Sequence, residues 1–186
     1  MSGKTILTTE RLLLRTWREE DAKAYFQIHQ DPKVTEFLAG PFTMKEVNKF
    51  IEAMNEHQQK YGYAFWALQL KEREEILGFV GLQVVSFQAT FTPATEIGWR
   101  LASQYWGHGY ATEAAKAALA HGFYQSNLDK IVAFTSPNNL RSQAVMRRLG
   151  MKHSPQDDFS HPRLPGDHPL SHCLLYYLEK NEADFF

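Results

Sequence analysis

Gln104-Tyr105-Trp106-Gly107-His108-Gly109-Tyr110-Ala111 decides how this chain is read, because two glycines stand one residue apart where a strand pattern gives way to a helix pattern. Glycine adopts positive φ without strain and puts no side chain in a ligand's path. Successive backbone amides can then converge on an anion, and the helix start adds unpaired N–H groups and the positive end of its dipole. A ligand carrying phosphate, such as a pyrophosphate, suits such a loop. The two glycines alone suit an ordinary turn equally well. A dinucleotide fingerprint needs glycine or alanine three residues after Gly109, where Thr112 stands, and a P-loop needs a closing Gly-Lys-Ser/Thr that is absent.

Outward from the loop, Ala111, Ala114, Ala115, Ala118, Leu119, Gly122 and Phe123 recur at helical spacing and form a buried stripe. Thr95 to Leu101 reads as the strand before it and Lys130 to Thr135 as the strand after it. Asn139 to Leu149 follows as a helix, with Gly150 suited to the left-handed residue beyond its end. Ser154 to Pro169 carries four prolines and reads as a long loop before a last strand, His172 to Glu179. Upstream, Ala64 to Leu70 and Ile76 to Val85 flank a charged turn and read as a hairpin. Thr43 and Glu46 have capping-box spacing ahead of Val47, Phe50, Ile51 and Met54, with Gly62 as the stop. Thr16 and Glu19 have the same spacing ahead of a short helix with Ala22, Tyr25 and Phe26 on one side, which Asp31-Pro32 ends. Thr9 to Arg15 reads as the first strand. The implied class is α+β, a mixed sheet with helices on its faces, expected to be one domain over residues 1–186. Short connections make its first half antiparallel, and the alanine-rich helix demands a parallel crossover between Thr95–Leu101 and Lys130–Thr135.

The bulk numbers bound the function. A net charge of −1 gives no general reason to bind nucleic acid or an anionic membrane. No apolar run approaches the ~20 residues of a membrane span. The N-terminus lacks a signal-peptide core and Cys173 is the single cysteine, so a cytoplasmic location is expected. No metal is expected, because the histidines match no zinc spacing.

Gln104-x-x-Gly107-x-Gly109-x-Ala111 resembles the coenzyme A signature of the GNAT acetyltransferase superfamily. Glu96-Ile-Gly-Trp-Arg-Leu101 and Tyr105 to Glu113 look like the branch that acetylates N-terminal alanines of ribosomal proteins. Asn139-Leu-Arg-Ser142 with Leu149-Gly-Met151 resembles that branch's second cofactor motif, and Thr9 to Arg15 its first strand. The resemblance implies a GNAT fold, a mostly antiparallel sheet splayed between its two parallel strands. It also implies acetyl-CoA as co-substrate and a primary amine as acceptor: a ribosomal protein N-terminus, another peptide or a small amine. A homodimer is open, as is a non-catalytic coenzyme A-binding or interaction module. It implies cofactor contacts at Leu101, Gln104, Tyr105, Trp106, Gly107, His108, Gly109, Tyr110, Ala111, Asn139 and Ser142.

Acetyl transfer to an amine needs the amine deprotonated, and Glu96 is the candidate base. Period-two alternation puts Glu96, Gly98 and Arg100 on one face, with Gly98 leaving room for a ligand. The plainer reading is a solvent-facing carboxylate paired with Arg100. Many superfamily members carry a tyrosine seven residues after the second-motif asparagine as proton donor, but Met146 stands there. Ser142 is then the nearest matching hydroxyl for the leaving thiolate. The segment Asp158 to Pro169 resembles one found before the last strand in several relatives, and its histidines suit structural or substrate-lining roles. Cys173 reads as a packing residue.

Overall fold

Apolar alternation and turn chemistry build a nine-stranded sheet, seen in a computed structural model that describes residues 3–183. In chain order the strands are β1 (Thr5–Thr8), β2 (Leu12–Arg15), β3 (Phe65–Leu70), β4 (Ile76–Val84), β5 (Thr95–Leu101), β6 (Lys130–Thr135), β7 (Lys152–His153), β8 (Phe159–Ser160) and β9 (His172–Glu179). The helices are α1 (Asp21–Gln30), α2 (Pro32–Thr35), α3 (Met44–Tyr61), α4 (Tyr110–Ala120) and α5 (Leu140–Arg148). The sheet runs β1-β2-β3-β4-β5-β6-β9-β7, with β8 added on β9.

Every pairing is antiparallel except β5 with β6. Those two strands match only at Thr95 with Ile131 and Glu96 with Val132, then part. This is the expected splay, and it opens toward the end of β5 that feeds the glycine loop. Helices cover both faces. On one, Tyr25 of α1 and Phe50 of α3 pack with Phe79 of β4 at ring-centroid distances of 6.2 and 5.5 Å. On the other, the apolar stripe of α4 is buried, and the chain continues as a wider π-type turn over His121–Gln125, where Gly122 lets Leu82 and Ile131 come close.

The capping box at Thr43 and Glu46 is present in both directions, and Gly62 ends α3 at φ +79°. The one expected at Thr16 and Glu19 is not. Thr16 Oγ1 instead accepts from the Lys4 backbone N–H at 2.8 Å, holding β1 beside β2. Asp21 takes over the helix start, accepting from the Arg18 N–H at 2.7 Å. The same carboxylate meets the Arg15 guanidinium at 2.7 and 2.8 Å, deep in the protein, while Gln69 accepts from Arg15 Nε at 2.7 Å. A buried ion pair outcompetes a local hydroxyl cap because leaving either charge unpaired costs several kcal/mol, about three times a cap. The first strand expected from Thr9 begins at Leu12, and β1 precedes it. Within Ser154–Pro169, expected as plain loop, lies the short strand β8.

Candidate active site

The glycine loop has the geometry its sequence implies. Gly107 and Gly109 both sit at φ +80°, a conformation other residues adopt only under strain. Gly109 is the residue before α4, and no side chain caps the amides of the first turn. A Cβ on Gly107 would point into open space, so its glycine is required by backbone conformation rather than crowding. Trp106 folds back so that Nε1 donates to the Leu101 carbonyl at 2.8 Å, which uses one acceptor position at the end of β5. His108 bonds through Nδ1 to the Trp106 carbonyl at 2.9 Å, and its ring stacks on Tyr110. Gln104 is exposed, while Tyr105 is half-buried against the core. Ser103, just before them, donates to Asp31 at the start of α2.

Arg11 is a loop residue that sequence reasoning missed. Its guanidinium lies 4.6 Å over the Tyr110 ring and 3.5 Å from where a Gly109 Cβ would stand. Glu113 in the first turn of α4 holds it there at 2.7 Å and also accepts from the Arg11 N–H at 2.9 Å and Thr9 Oγ1 at 2.5 Å. Burial pushes the Glu113 carboxyl up, but the bonds from Thr9 and Arg11 outweigh it and keep it below the usual range. The acid therefore stays ionised beside the glycine loop, with Arg11 compensating its charge.

The second motif meets the loop. Asn139 is the N-cap of α5, its Oδ1 accepting from the Ser142 N–H at 3.2 Å. The Ser142 hydroxyl makes no hydrogen bond among the described residues. Arg141 lies 4.6 Å over the Trp106 ring and pairs with Glu36 at 2.5 Å, which joins α5, the glycine loop and the segment after α2. Arg147 and Arg148 are exposed in the last turn. Met146 is buried in the core and offers no donor.

Glu96 stands at the last paired position before the strands part. Burial pushes its carboxyl up to about 8, with the Arg163 charge pulling the other way. It makes no hydrogen bond among the described residues. Two expectations about its neighbours are corrected. The space beside Gly98 is filled by the Phe65 ring, 2.9 Å from where a Cβ would stand, because β3 carries a large side chain on the same face. Arg100 does not pair with Glu96: it donates to Tyr25 Oη at 3.1 Å and His29 Nε2 at 2.7 Å and lies over Phe79 at 5.3 Å. Burial and then Arg100 push His29 down to about 3, so it stays neutral and accepts. The network fastens α1 to β5.

The segment before β9 reaches the same face. Arg163 donates through Nη2 to the Ser86 carbonyl at 2.6 Å and Oγ at 3.0 Å. His153 bonds Asp158 at 2.8 Å, and Asp158 also accepts from the Leu175 N–H at 3.1 Å, so this histidine is structural. Among the described residues no group of three metal-binding side chains comes together. Burial, then Asp158, raises the Cys173 thiol to about 11, which argues against an acyl relay through it.

The glycine loop and the splayed sheet are features of one class of protein, and comparison with known proteins shows that class. The chain belongs to the GNAT acetyltransferase family, matching the "Acetyltransferase (GNAT) domain" over residues 11–152, and is an acyltransferase. It is 32% identical over 155 residues to the uncharacterized protein YkkB of Bacillus subtilis, covering 83% of this chain and 89% of that one. It is 31% identical to the uncharacterized N-acetyltransferase YnaD of the same organism, covering 78% and 82%. An acetyltransferase from Agrobacterium tumefaciens superposes with a TM-score of 0.74 at 27% identity, covering 96% of this chain and 95% of that one. A coenzyme A complex of RimL, a ribosomal L7/L12 alpha-N-protein acetyltransferase, shares the fold with a TM-score of 0.75 at 20% identity, covering 95% and 98%. No described helix is long and apolar enough to cross a membrane.

Proposed function

We propose that this chain transfers acetyl from acetyl-coenzyme A to a primary amine by direct attack within a ternary complex. The observation that carries the reading is the parting of β5 and β6 immediately beyond Glu96, on the strand whose far end leads into the open glycine loop. The residues fit the co-substrate. Backbone amides from Gln104 to Ala111, with open space at Gly107 and the Arg11 guanidinium beside Gly109, suit a pyrophosphate. The separated strand edges suit the amides of a pantetheine arm, as does the Asn139 side-chain amide, whose Oδ1 is committed to its cap.

Glu96 supplies the base. An alkyl ammonium loses its proton near ~10.4 and an N-terminal amine near ~8, so each needs help at neutral pH. A carboxyl held at about 8 is close to the pH at which it must work. The ammonium proton passes to Glu96, directly or through a water, and the amine nitrogen bonds to the acetyl carbon. The carbon–sulfur bond then breaks, the nitrogen gives up its second proton to solvent to become the neutral amide, and the thiolate takes a proton from solvent with the Ser142 hydroxyl as its hydrogen-bonding partner. Positioning supplies most of the acceleration, and the base adds roughly 10²–10⁴-fold. Glu96 also separates this reading from a binding-only module, which has no use for a desolvated carboxyl at the splay.

The fold shared with RimL keeps a peptide N-terminus among the amines to be tested, beside small amines and amino acids. The test is release of free thiol from acetyl-CoA across N-terminal peptides, polyamines, amino acids and aminoglycosides. Silence with every amine would leave only binding.

A further inference from the structure

Five rings gather on the Glu96 face of the sheet. Phe134 of β6 points the same way as Val132, the partner of Glu96, because side chains alternate along a strand. Phe87 and Phe91 come from the connection between β4 and β5, and Phe159 and His161 from the segment before β9. Phe87 lies 4.7 Å from His161 and 5.7 Å from Phe134, and Phe159 lies 5.5 Å from Phe134 and 4.9 Å from Phe91, between ring centroids. All five are half-buried, so the cluster is packed from within and still presents ring surface to solvent. Burial and Arg163 push His161 down, so its ring is neutral near pH 7.

Arg163 stands at the edge of this surface, its guanidinium 5.8 Å over Phe87. Its Nη2 is anchored on the neutral oxygens of Ser86, and its Nε and Nη1 make no hydrogen bond among the described residues. No carboxylate among the described residues pairs with it directly, and its anchor Ser86 lies three residues beyond Gln83, the β4 partner of Glu96, so its charge acts on that carboxyl. A fixed, exposed cation with spare donors is a ready partner for an anion, and a guanidinium fits a carboxylate in two-pronged fashion.

We propose that the acceptor is a free aromatic amino acid. Its amine lies at Glu96, its carboxylate on Arg163 and its ring against Phe87, Phe134, Phe159 and His161. An α-amino acid carries amine and carboxylate on one carbon, which suits a carboxyl on β5 and a guanidinium anchored just beyond the end of the neighbouring strand β4. A polyamine is repelled by Arg163, and a peptide N-terminus has an amide where the carboxylate is needed. This inference rests on the acetyl-transfer reading above and names the substrate class of that site.

The test measures kcat/KM for tryptophan against tryptamine, phenylalanine against phenethylamine, and phenylalanine against phenylalaninamide, with acetyl-CoA and the full chain. The carboxylate is expected to raise kcat/KM about 10- to 100-fold, the range of one charge-assisted hydrogen-bonded contact. Arg163→Gln is expected to collapse each ratio toward unity, and Arg163→Lys to keep part of it. Ratios near one in the wild type, or ratios unchanged in Arg163→Gln, overturn the assignment. Equal use of phenylalanine and its amide overturns it in favour of a peptide N-terminus. Turnover of polyamines or peptides with none of the aromatic amino acids refutes this acceptor while leaving acetyl transfer intact. Failure of every amine refutes both.

Discussion

Replacing Glu96 with glutamine removes an ionisable group that its surroundings hold in the neutral form, and the effect on stability follows from its titration. The folded protein holds this carboxyl at about 8 against an ordinary 4.5. Between those values the unfolded chain has lost the proton and the folded one keeps it. Folding stability must therefore fall as pH rises, by up to ~1.4 kcal/mol per pH unit, and level off above about pH 8. From pH 5.5 to 9 the ceiling is about 3 kcal/mol. The side chain is half-buried and keeps part of its hydration, so a loss of ~1.5–2.5 kcal/mol is expected. Glu96→Gln abolishes this slope, and every other titrating group cancels in the difference. Urea unfolding of both proteins at several pH values gives that difference. The variant should gain on the wild type steadily up to pH 8 while losing activity, as expected where a working group is held in an unfavourable state. A difference that stays flat within ~0.3 kcal/mol across this range would refute the claim that Glu96 is desolvated, and with it the base assignment.

Three further outcomes are expected. Gly107→Val should weaken acetyl-CoA binding by roughly 10- to 100-fold, since a β-branched residue resists φ +80°, whereas His108→Ala should change it by less than about threefold; calorimetric titration compares them. Ser142→Ala should lower kcat by less than about tenfold with acetyl-CoA affinity intact, and a loss as large as that of Glu96→Gln would make Ser142 the dominant group. Asp21→Asn should destabilise the fold by about 3–5 kcal/mol because Arg15 is left charged and buried, and a shift below ~1 kcal/mol in urea unfolding would show that the pair is not needed.

The parts legible in the sequence are those governed by short-range periodicity. The stripe from Ala111 to Phe123, the Thr43–Glu46 box and the strands Phe65–Leu70, Ile76–Val84 and Thr95–Leu101 each declare themselves within one element. So does the glycine loop, whose backbone conformation is a local property. What escaped is set by partners distant in the chain. Thr16 has the spacing of a cap but is claimed by the Lys4 backbone, and the helix start it was expected to hold is claimed by Asp21. Arg11 joins the glycine loop only because Glu113, about a hundred residues further along the chain, folds against it. Gly98 looked like room for a ligand, but room depends on the facing strand, and Phe65 occupies it. The environment of Glu96 likewise depends on Arg163, which no spacing rule connects to it.

The clasp of Thr9 and Arg11 on Glu113 bears on how the chain assembles. It closes a loop of more than a hundred residues, so the first turn of α4 gains its last fastening only after the opening strands have found the middle of the chain. During synthesis those strands emerge long before their partner and must wait for it. The glycine loop is thus expected to become rigid only once the opening strands are in place, and ligand affinity acquired during refolding would report their docking. Amide exchange at Ala111 to Glu113 should then slow in step with protection of Leu12 to Arg15, although the two segments share no stretch of chain.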